Sequence, residues 1–218
     1  MKSETETRST RKHQAIVEAA RAVFFKKGYD GTSMEEIAAK ASVSKQTVYK
    51  HFADKQRLFA EIILATTSEI ECVVALVAGT LIETRALKRD LSHLGQQFTA
   101  LLMDPQLLRL RRLVIANADR MPELGRTWYE QGFERVLATL ATCFAGLAKR
   151  GLLYAEDPLI AAHHFVGLLL WIPVNHAMFT GSERPYAKAE LDRYALAAVN
   201  AFLAAYSVKT KAAGTSPR

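Results

Sequence analysis

The amino-acid sequence predicts an all-α fold, and three features of its composition indicate this. Gly (11) and Pro (6) together make up about 8% of the 218 residues, against roughly 12% in an average protein, so few residues interrupt helices. No segment alternates apolar and polar residues between Gly or Pro turns, as half-buried strands do. Half of the residues are hydrophobic and 23% are charged, which is typical of a folded chain.

The first helix is expected to begin near Arg11, because apolar residues recur at helical spacing from there on. The segment before it, 1–10, is polar and is expected to be a flexible basic arm. Ser33 and Glu36 have the spacing of a capping box, in which the Ser hydroxyl accepts the backbone N–H of the Glu and the Glu side chain reaches back. This pair predicts a short second helix over 35–41.

A third short helix follows after a tight break. Ser44 is placed to cap it, because its hydroxyl can accept a backbone N–H of the first turn, and the helix is expected over 45–52. Asp54 is a further cap that opens a long fourth helix. Two short helices about three residues apart, after a longer packing helix, are the parts of a helix-turn-helix module. We therefore expect a helix-turn-helix domain over 11–58.

The rest of the chain, 59–206, predicts a larger helical domain of about five further helices. Each expected break combines Gly or Pro with a capping residue or with the end of a periodic segment. The breaks are expected near Gly79, at Asp104-Pro105, at Met121-Pro122, at Gly151, at Asp157-Pro158 and between Gly181 and Pro185. The last residues, 207–218, are small and polar and are expected to form a flexible tail.

Positive charge is concentrated in the first quarter of the chain. The formal net charge is +7, and residues 1–60 hold 12 Lys and Arg against 7 Asp and Glu, whereas residues 61–208 sum to −1. A basic segment beside a near-neutral body indicates that the N-terminal part contacts a polyanion. The alternative is a basic surface that only keeps the protein soluble.

The third helix is expected to expose one polar face. On a helix that starts at residue 45, Val48 and Phe52 point back toward the helix before it. Cationic groups pair with phosphates, Gln can bond to the edge of a base, and Tyr can stack on a sugar or contact a thymine methyl. The residues of the outer face are Lys45, Gln46, Tyr49 and Lys50. This set favours a helix that reads the major groove of DNA; the alternative is a solvated amphipathic helix.

Further candidate DNA contacts flank this face. Thr47 and His51 lie four positions apart on its side, within reach of the DNA backbone. Lys55 lies at the start of the fourth helix, where exposed N–H groups and the helix dipole attract phosphate. Its replacement by Ala is expected to lower the affinity for all DNA sequences and to reduce the salt slope by about one. The corresponding positions at the second and third helices are Thr32, Ser33 and Ser44.

Residues 9–60 resemble the DNA-binding domain of the TetR/AcrR family, above all in the segment from Thr32 to Phe59, TSMEEIAAKASVSKQTVYKHFADKQRLF. The family more often has Gly in place of Gln46 and an aromatic residue in place of His51, departures that bear on base preference and not on the module. By this resemblance, the positions that contact DNA are Thr32, Lys45, Gln46, Thr47, Tyr49, Lys50, His51 and Lys55.

The resemblance continues in the body of the chain. The segments RRLVIANADRMPELGRTWYEQGF, from Arg111, and DPLIAAHHFVGLLLW, from Asp157, are similar to the C-terminal domain of the AefR-like branch. The resemblance implies nine helices and a homodimeric, ligand-responsive transcriptional regulator. We expect a repressor that binds a pseudo-palindromic operator and leaves it when a small molecule binds. A ligand-independent architectural DNA-binding protein is the alternative.

The dimer interface is expected on the helices over about 158–178 and 188–206. The first is apolar nearly all round, and the second has an apolar stripe. A two-fold pair doubles the phosphate contacts and reads two half-sites. The alternative is that both helices only complete the core of the monomer. The stripe consists of Leu191, Tyr194, Ala195, Ala198, Phe202 and Ala205.

A small apolar or amphipathic effector is expected to bind in the body. Such sites have apolar and aromatic walls with a few polar groups. Aromatic residues at helical spacing are more often plain core, and that alternative stays open. The candidate ligand-binding residues are Phe98, Leu102, Asn117, Trp128, Phe133, Leu137, His164, Phe165, Trp171 and His176.

No cofactor, metal or enzymatic activity is expected. The His pair at 163 and 164 has no carboxylate at helical spacing, and neither a phosphate loop nor a recognisable catalytic arrangement is present. Cys72 and Cys143 lie in apolar helical runs, where a buried thiol is usually inert, although oxidant sensing stays an alternative. The polar N-terminus and the lack of an apolar run of ~20 residues predict a cytoplasmic protein without a membrane span.

Overall fold

The computed structural model describes residues 2–182 and 186–208, and helices make up nearly all of this part of the chain. Its segments are α1 (Lys2–Lys27), α2 (Met34–Lys40), α3 (Lys45–His51), α4 (Lys55–Gly79), α5 (Leu87–Leu102), α6 (Pro105–Asn117), α7 (Pro122–Trp128), a π-helical segment (Tyr129–Glu134), α8 (Arg135–Lys149), α9 (Pro158–Thr180) and α10 (Lys188–Tyr206). The segments from α7 to α8 follow one another without a break and count as one helix. The described residues therefore hold nine helices and no strand, which confirms the all-α prediction.

The expected breaks agree with the helix ends, but the expected start of α1 is wrong. Helix α1 begins at Lys2 and not near Arg11, because residues 2–10 contain no Gly or Pro and include good helix formers such as Lys, Glu and Arg. The segment proposed as a flexible arm, 1–10, is therefore helical from its second residue. Of the expected tail, the residues from 209 on lie outside the described part of the chain.

Contacts between residues divide the chain into two compact units, and these differ from the linear domains 11–58 and 59–206. Unit 1 contains the described residues up to Ile70 together with Pro105–Glu134; unit 2 contains Glu71–Asp104 and the described residues from Arg135 on. The cause is that α6 and α7 supply three buried residues to the core formed by α1 to α4. These residues are Leu110, Val114 and Leu124.

Unit 1 is held by an aromatic core and by the caps of its helices. The rings of Tyr29 and Phe59 lie 5.7 and 4.9 Å from that of Phe24, which is fully buried. Each predicted cap is confirmed, although Glu36 does not return to its cap and pairs instead with Lys27 at 2.8 Å. The backbone N–H of Glu36 donates to Ser33 Oγ (3.2 Å), that of Thr47 to Ser44 Oγ (3.1 Å), and that of Arg57 to Asp54 Oδ1 (2.7 Å).

The turn between α2 and α3 is short and hydrogen-bonded. The N–H of Ala41 donates to the carbonyl of Ile37 (2.8 Å), and that of Val43 to the carbonyl of Ala38 (3.0 Å). Between them Ser42 has a φ of 55°, in the left-handed region that residues other than Gly seldom adopt. This turn fixes the direction in which α3 leaves α2.

Unit 2 is a helical bundle with its own aromatic core. The rings of Phe144, Phe165 and Phe202 lie 5.1 to 5.5 Å apart, and all three side chains are fully buried. Gly95 lets α5 pack closely, because a Cβ at this position would lie 3.1 Å from Leu169 and 3.2 Å from Val199. Arg150 donates to the carbonyls of the loop before α5, at 2.8 Å for Thr84.

Part of the apolar stripe of α10 faces the interior of unit 2, so a dimer interface on α10, as the sequence predicts, has to use its exposed residues, such as Leu196 (42% exposed). Ala195, Ala198 and Phe202 are buried within their own unit. More large apolar side chains stay exposed on α9 than on any other described helix, because a helix that is apolar all round can bury only one side. They include Leu168 (43% exposed), Trp171 (73%), Ile172 (50%) and Phe179 (87%).

Two helices, α4 and α9, are long and apolar enough to cross a membrane by length and composition alone. In each of them 39% of the most apolar window is buried inside the protein. Core helices of soluble proteins meet the same criterion, so the two helices are weak support for a membrane span.

Candidate nucleic-acid interface

Helix α3 is oriented as its sequence predicts. Val48 is fully buried and Phe52 is 3% exposed, and both belong to the core of unit 1. The cap from Ser44 starts the helix, and the inward pair fixes its rotation, so the remaining side chains project away from the unit. The exposed residues are Lys45, Gln46, Tyr49 and Lys50, and they form one continuous surface, which we call the reading face.

One cation of the reading face has a partner on the preceding helix. Lys45 forms an ion pair with Glu35 of α2, and its Nζ lies 5.8 Å from the ring centroid of Tyr49. The hydrogen bond from Lys45 holds the pKa of Glu35 below its usual value, and the same bond raises the pKa of Lys45. Both side chains are about half exposed, so solvent screens this pair and DNA phosphates can compete for the ammonium group.

The flank of α3 is only partly available to DNA. The hydroxyls of Thr47 and Ser44 are hydrogen-bonded to each other at 2.8 Å, so both already serve the cap. His51 is half-buried, and its ring lies 5.6 Å from that of His13 on α1. Burial lowers the pKa of His51, and the nearby His13 and Lys50 add to this effect. His51 is therefore mainly neutral near pH 7.

At the start of α2, the two candidate residues differ in exposure. Thr32 is only 3% exposed, and its hydroxyl donates to the carbonyl of Gly28 at 2.7 Å. Its side chain stabilises the loop and is not presented to solvent, because the loop folds over it. Ser33 is exposed and caps α2.

The side chain of Lys55 is hydrogen-bonded to backbone carbonyls of unit 1. Its Nζ donates to the carbonyls of Tyr29 (2.8 Å) and Thr32 (2.9 Å), and it lies 4.5 Å from the ring centroid of Tyr29. Two of its three N–H donors thus hold the loop between α1 and α2. The sequence suggested a phosphate contact here, because a Lys at a helix start has the same appearance in either role.

The ten candidate ligand-binding residues do not form one group. Phe98, Leu102, Leu137 and Phe165 are buried in unit 2, whereas His164, Trp171 and His176 are exposed on α9. In unit 1, Trp128 and Phe133 are half-buried. Asn117 is buried, and its side chain is engaged by the carbonyl of Leu113 (2.8 Å) and by Arg120 (3.0 Å).

The histidines and cysteines of the body have ordinary surroundings. His164 is hydrogen-bonded to the hydroxyl of Tyr206 at 2.5 Å, and within the described residues no three His, Cys, Asp or Glu side chains come together as a metal site. Cys72 is exposed and not buried, because it lies on the outer side of α4. Burial raises the pKa of Cys143 to about 11, which makes its thiol a poor nucleophile at neutral pH.

Unit 2 also contains a groove that the sequence analysis missed. It has a volume of about 460 Å³ and lies between the last turns of α4 and the middle of α8. Most of its lining residues are small, and small residues at helical spacing give no signal that separates a groove from close packing. The lining includes Ala75, Gly79, Ile82, Thr142, Cys143 and Arg150.

Comparison with known proteins agrees with this arrangement of elements. The family model described as bacterial regulatory proteins, tetR family, matches residues 16–62. The model described as the C-terminal domain of AefR-like transcriptional repressors matches residues 89–208. The two matches cover the helix-turn-helix and most of the body.

Two solved structures are similar to nearly the whole chain, and one further relative to little more than half of it. The crystal structure of a TetR-family transcriptional regulator from Mesorhizobium loti has 57% sequence identity and a TM-score of 0.88, covering 92% of this chain and 99% of that one. The flavonoid-responsive regulator FrrA is 25% identical, with a TM-score of 0.68 over 92% of this chain and 100% of its own. The HTH-type transcriptional regulator YvkB of Bacillus subtilis is 31% identical over 131 residues, which span 57% of this chain and 63% of YvkB. The chain therefore belongs to the tetR family of bacterial transcriptional regulators, which are not enzymes, and its second half matches the C-terminal domain of the AefR-like repressors.

Proposed function

We propose that this protein is a cytoplasmic, ligand-responsive transcriptional repressor. It binds a pseudo-palindromic DNA operator as a homodimer and leaves it when a small amphipathic molecule binds. The observation that carries this proposal is the reading face of α3. Its residues are exposed together, while Val48 on the opposite side of the same helix is fully buried.

The chemistry of the reading face suits the major groove. Gln46 is exposed, and its amide can donate and accept at the edge of one base. Lys50 supplies a cation to the phosphates, and Tyr49, 44% exposed, offers a ring and a hydroxyl. We assign direct base reading to Gln46 and Tyr49, and positioning on the backbone to Lys45 and Lys50.

A second copy of the chain is the occupant that we propose for the exposed face of α9. The large apolar side chains there, such as Trp171 and Phe179, are 73% and 87% exposed. Apolar surface of this kind is stabilised by contact with a like surface, and a two-fold pair brings two reading faces to two half-sites. This proposal keeps both helices that the sequence indicated, α9 and α10, and uses their outward sides, where Leu196 of α10 is 42% exposed.

The response to ligand is a population shift. An effector releases the operator only if it binds more tightly to the conformer whose two reading faces no longer match the half-site spacing. To change the operator-competent state from dominant to rare, this preference has to reach about 5.5 kcal/mol.

A footprint with a competition gel shift tests the proposal. The full-length protein is expected to protect a palindromic site in DNA near its own gene, and random duplex at moderate salt should compete poorly. Gln46→Ala is expected to weaken binding by about 1–3 kcal/mol and to relax base preference, since a bidentate base contact is lost. Gln97→Ala, at an exposed Gln on α5, is the matched control and should bind as the parent does. Equal competition by random duplex would contradict a specific repressor.

A further inference from the structure

One guanidinium group of unit 1 has no counter-ion among the residues that the structure describes. Arg111 lies on α6, next to Leu110, which is fully buried, and one turn from the buried Val114. Arg111 is half-buried, and this burial lowers the pKa of its guanidinium group. Its guanidinium carbon lies 6.0 Å from the ring centroid of Trp128.

Other basic residues of the same unit do have partners. Arg120 pairs with Asp30 at 2.6 Å, and Lys27 with Glu36 at 2.8 Å. Arg21, which is also half-buried, donates to the hydroxyl of Thr66. Arg111 differs from all of these, because its five N–H donors have no hydrogen-bond acceptor among the described residues.

The nitrogen atoms of Arg111 nevertheless remain accessible. The buried side-chain nitrogens of unit 1 that are sealed from solvent without a partner include Nε of Arg21, but none of Arg111. The donors of Arg111 therefore face open space from a desolvated position. A cation in such a place lowers stability unless an anion joins it.

The neighbours of Arg111 indicate what kind of molecule carries this anion. Trp128 is half-buried, and directly after it the chain forms the π-helical segment Tyr129–Glu134. In this segment the rings of Tyr129 and Phe133 are stacked at 5.7 Å. π-Helical segments occur frequently at functional sites, and guanidinium groups bind carboxylates through two parallel hydrogen bonds.

We infer that Arg111 binds the carboxylate of the effector, and that the effector is an amphipathic organic acid whose apolar part lies against Trp128 and the π-helical segment. This inference rests on the proposed function, because it names the chemical class of the molecule that releases the operator. It adds a charged anchor that the ten candidate ligand-binding residues lack.

The position of Arg111 also connects the effector to the DNA-binding elements of unit 1. Helix α6 ends at Asn117, whose side chain accepts a hydrogen bond from Arg120 at 3.0 Å. Arg120 in turn pairs with Asp30, in the loop that leads to α2. A carboxylate that pulls on α6 through Arg111 therefore acts on a helix whose end is fastened to the helix-turn-helix.

Tryptophan fluorescence tests the inference without DNA. The chain has two Trp residues, so a full-length Trp171→Phe protein reports on Trp128 alone. The probes are the straight-chain carboxylates from hexanoate to dodecanoate and the alcohols of the same lengths. We expect the best carboxylate to bind at least about 10-fold more tightly than its alcohol, since it alone forms charge-assisted hydrogen bonds. Equal affinity of the two series would overturn the inference.

Substitutions in the same protein locate the contact. Arg111→Gln is expected to weaken binding of the best carboxylate by about 10- to 100-fold and to leave the alcohol unchanged, whereas Arg111→Lys keeps part of the affinity. The control is Arg126→Gln, an exposed Arg on α7 that lies 3.9 Å from Glu123. If the control loses as much affinity as Arg111→Gln, Arg111 is not the anchor.

Stability without ligand gives an independent test. Arg111→Met removes an unpaired, desolvated charge and is expected to raise the midpoint of thermal unfolding by about 2–4 °C. A lower midpoint would overturn the inference, because it would show that Arg111 serves the fold through Trp128. None of these three tests uses DNA, so a failed footprint with intact carboxylate binding would reject the operator but not the acid site.

Discussion

Helices α3 and α9 each have a face that no described residue of the chain covers, and the chemistry of the two faces is opposite. On α3 the exposed side chains are polar, and Gln46 and Lys50 carry groups that water, phosphates or base edges can all satisfy. On α9, Trp171 and Phe179 are exposed to 73% and 87%, and such surface gains only when water is excluded from it. Exposure by itself therefore does not define a partner. The polar face suits a hydrated polyanion, and the apolar face suits another apolar surface.

The two helices also differ in how their orientation is determined. In α3 only Val48 and the capping residue Phe52 are apolar enough to be buried, so a single rotation is stable. Helix α9 is apolar nearly all round, and its inward side is selected by partners such as Phe144 and Phe202. The outward side of α9 is thus what remains after the core of unit 2 has formed.

The largest expected effect comes from a charge on the apolar face. Trp171→Glu should convert the dimer to a monomer, because a carboxylate cannot be buried unpaired between two copies. Since a monomer reaches only one half-site, operator affinity should fall by about 100-fold or more. Light scattering measures the mass, and a gel shift measures the affinity. Leu76→Glu is the control, because Leu76 is 75% exposed and belongs to α4 and not to α9; a dimeric Trp171→Glu protein would exclude α9 from the interface.

A smaller effect distinguishes Lys50, which is expected to contact DNA, from Lys55, which holds a loop of unit 1. Lys55→Ala should lower the free energy of unfolding by about 1–3 kcal/mol, because the carbonyls of Tyr29 and Thr32 lose a charged donor. Lys50→Ala should leave the stability unchanged and reduce the salt slope of DNA binding by about one. Urea unfolding and a salt titration of operator binding measure the two effects. If Lys55→Ala instead reduced the salt slope and left the stability unchanged, Lys55 would be a phosphate contact.

A still smaller effect concerns the ion pair that crosses from α2 to α3. Glu35→Gln removes a negative charge beside the reading face and frees Lys45. We expect operator and random DNA to bind a few-fold more tightly at low salt, with base preference unchanged and the gain lost as salt is added. Fluorescence anisotropy at two salt concentrations measures this. Glu69→Gln, at an exposed Glu on α4, is the control; tighter binding of the operator alone would contradict a purely electrostatic effect.

The smallest effect is a pH dependence of stability. The pKa of His51 lies below its usual 6.5, because of burial and then of the charges of His13, Lys50 and Lys12, which outweigh that of Glu61. The unfolded chain therefore binds this proton more readily than the folded one, so the stabilising contribution is fully present above about pH 6.5 and is lost as the pH falls from there through the lower pKa of the folded state. Urea unfolding near pH 7.5 and near pH 5.5 should show a smaller drop for His51→Gln than for the parent. An equal drop would assign the pH dependence to other groups.

The sequence predicts the helix-turn-helix well, because its signals are local. Ser33, Ser44 and Asp54 act within three residues of their own positions, and Val48 is buried as helical periodicity requires. Roles that depend on distant partners are not visible in this way. Lys55 bonds to carbonyls more than twenty positions earlier, and the pairing of Arg120 with Asp30 spans ninety positions.

The division into units and the exposure of the body residues were harder to predict for a related reason. The apolar positions of α6 look the same whether they pack on neighbours in sequence or on α1, and the structure places Leu110 and Val114 in the core of unit 1. Likewise, the buried stripe of α10 could equally have served a second copy. Periodicity shows which side of a helix is apolar, but not which surface covers that side.

The left-handed Ser42 in the turn of the helix-turn-helix has a consequence for how release can occur. A residue other than Gly at such a φ is kept there only by its surroundings, here the hydrogen bonds from Ala41 and Val43 back into α2. Because these hydrogen bonds hold the turn, we expect α2 and α3 to move together. Release of an operator would then require a change in the distance between the two DNA-binding domains of a dimer, while the internal structure of each domain stays the same.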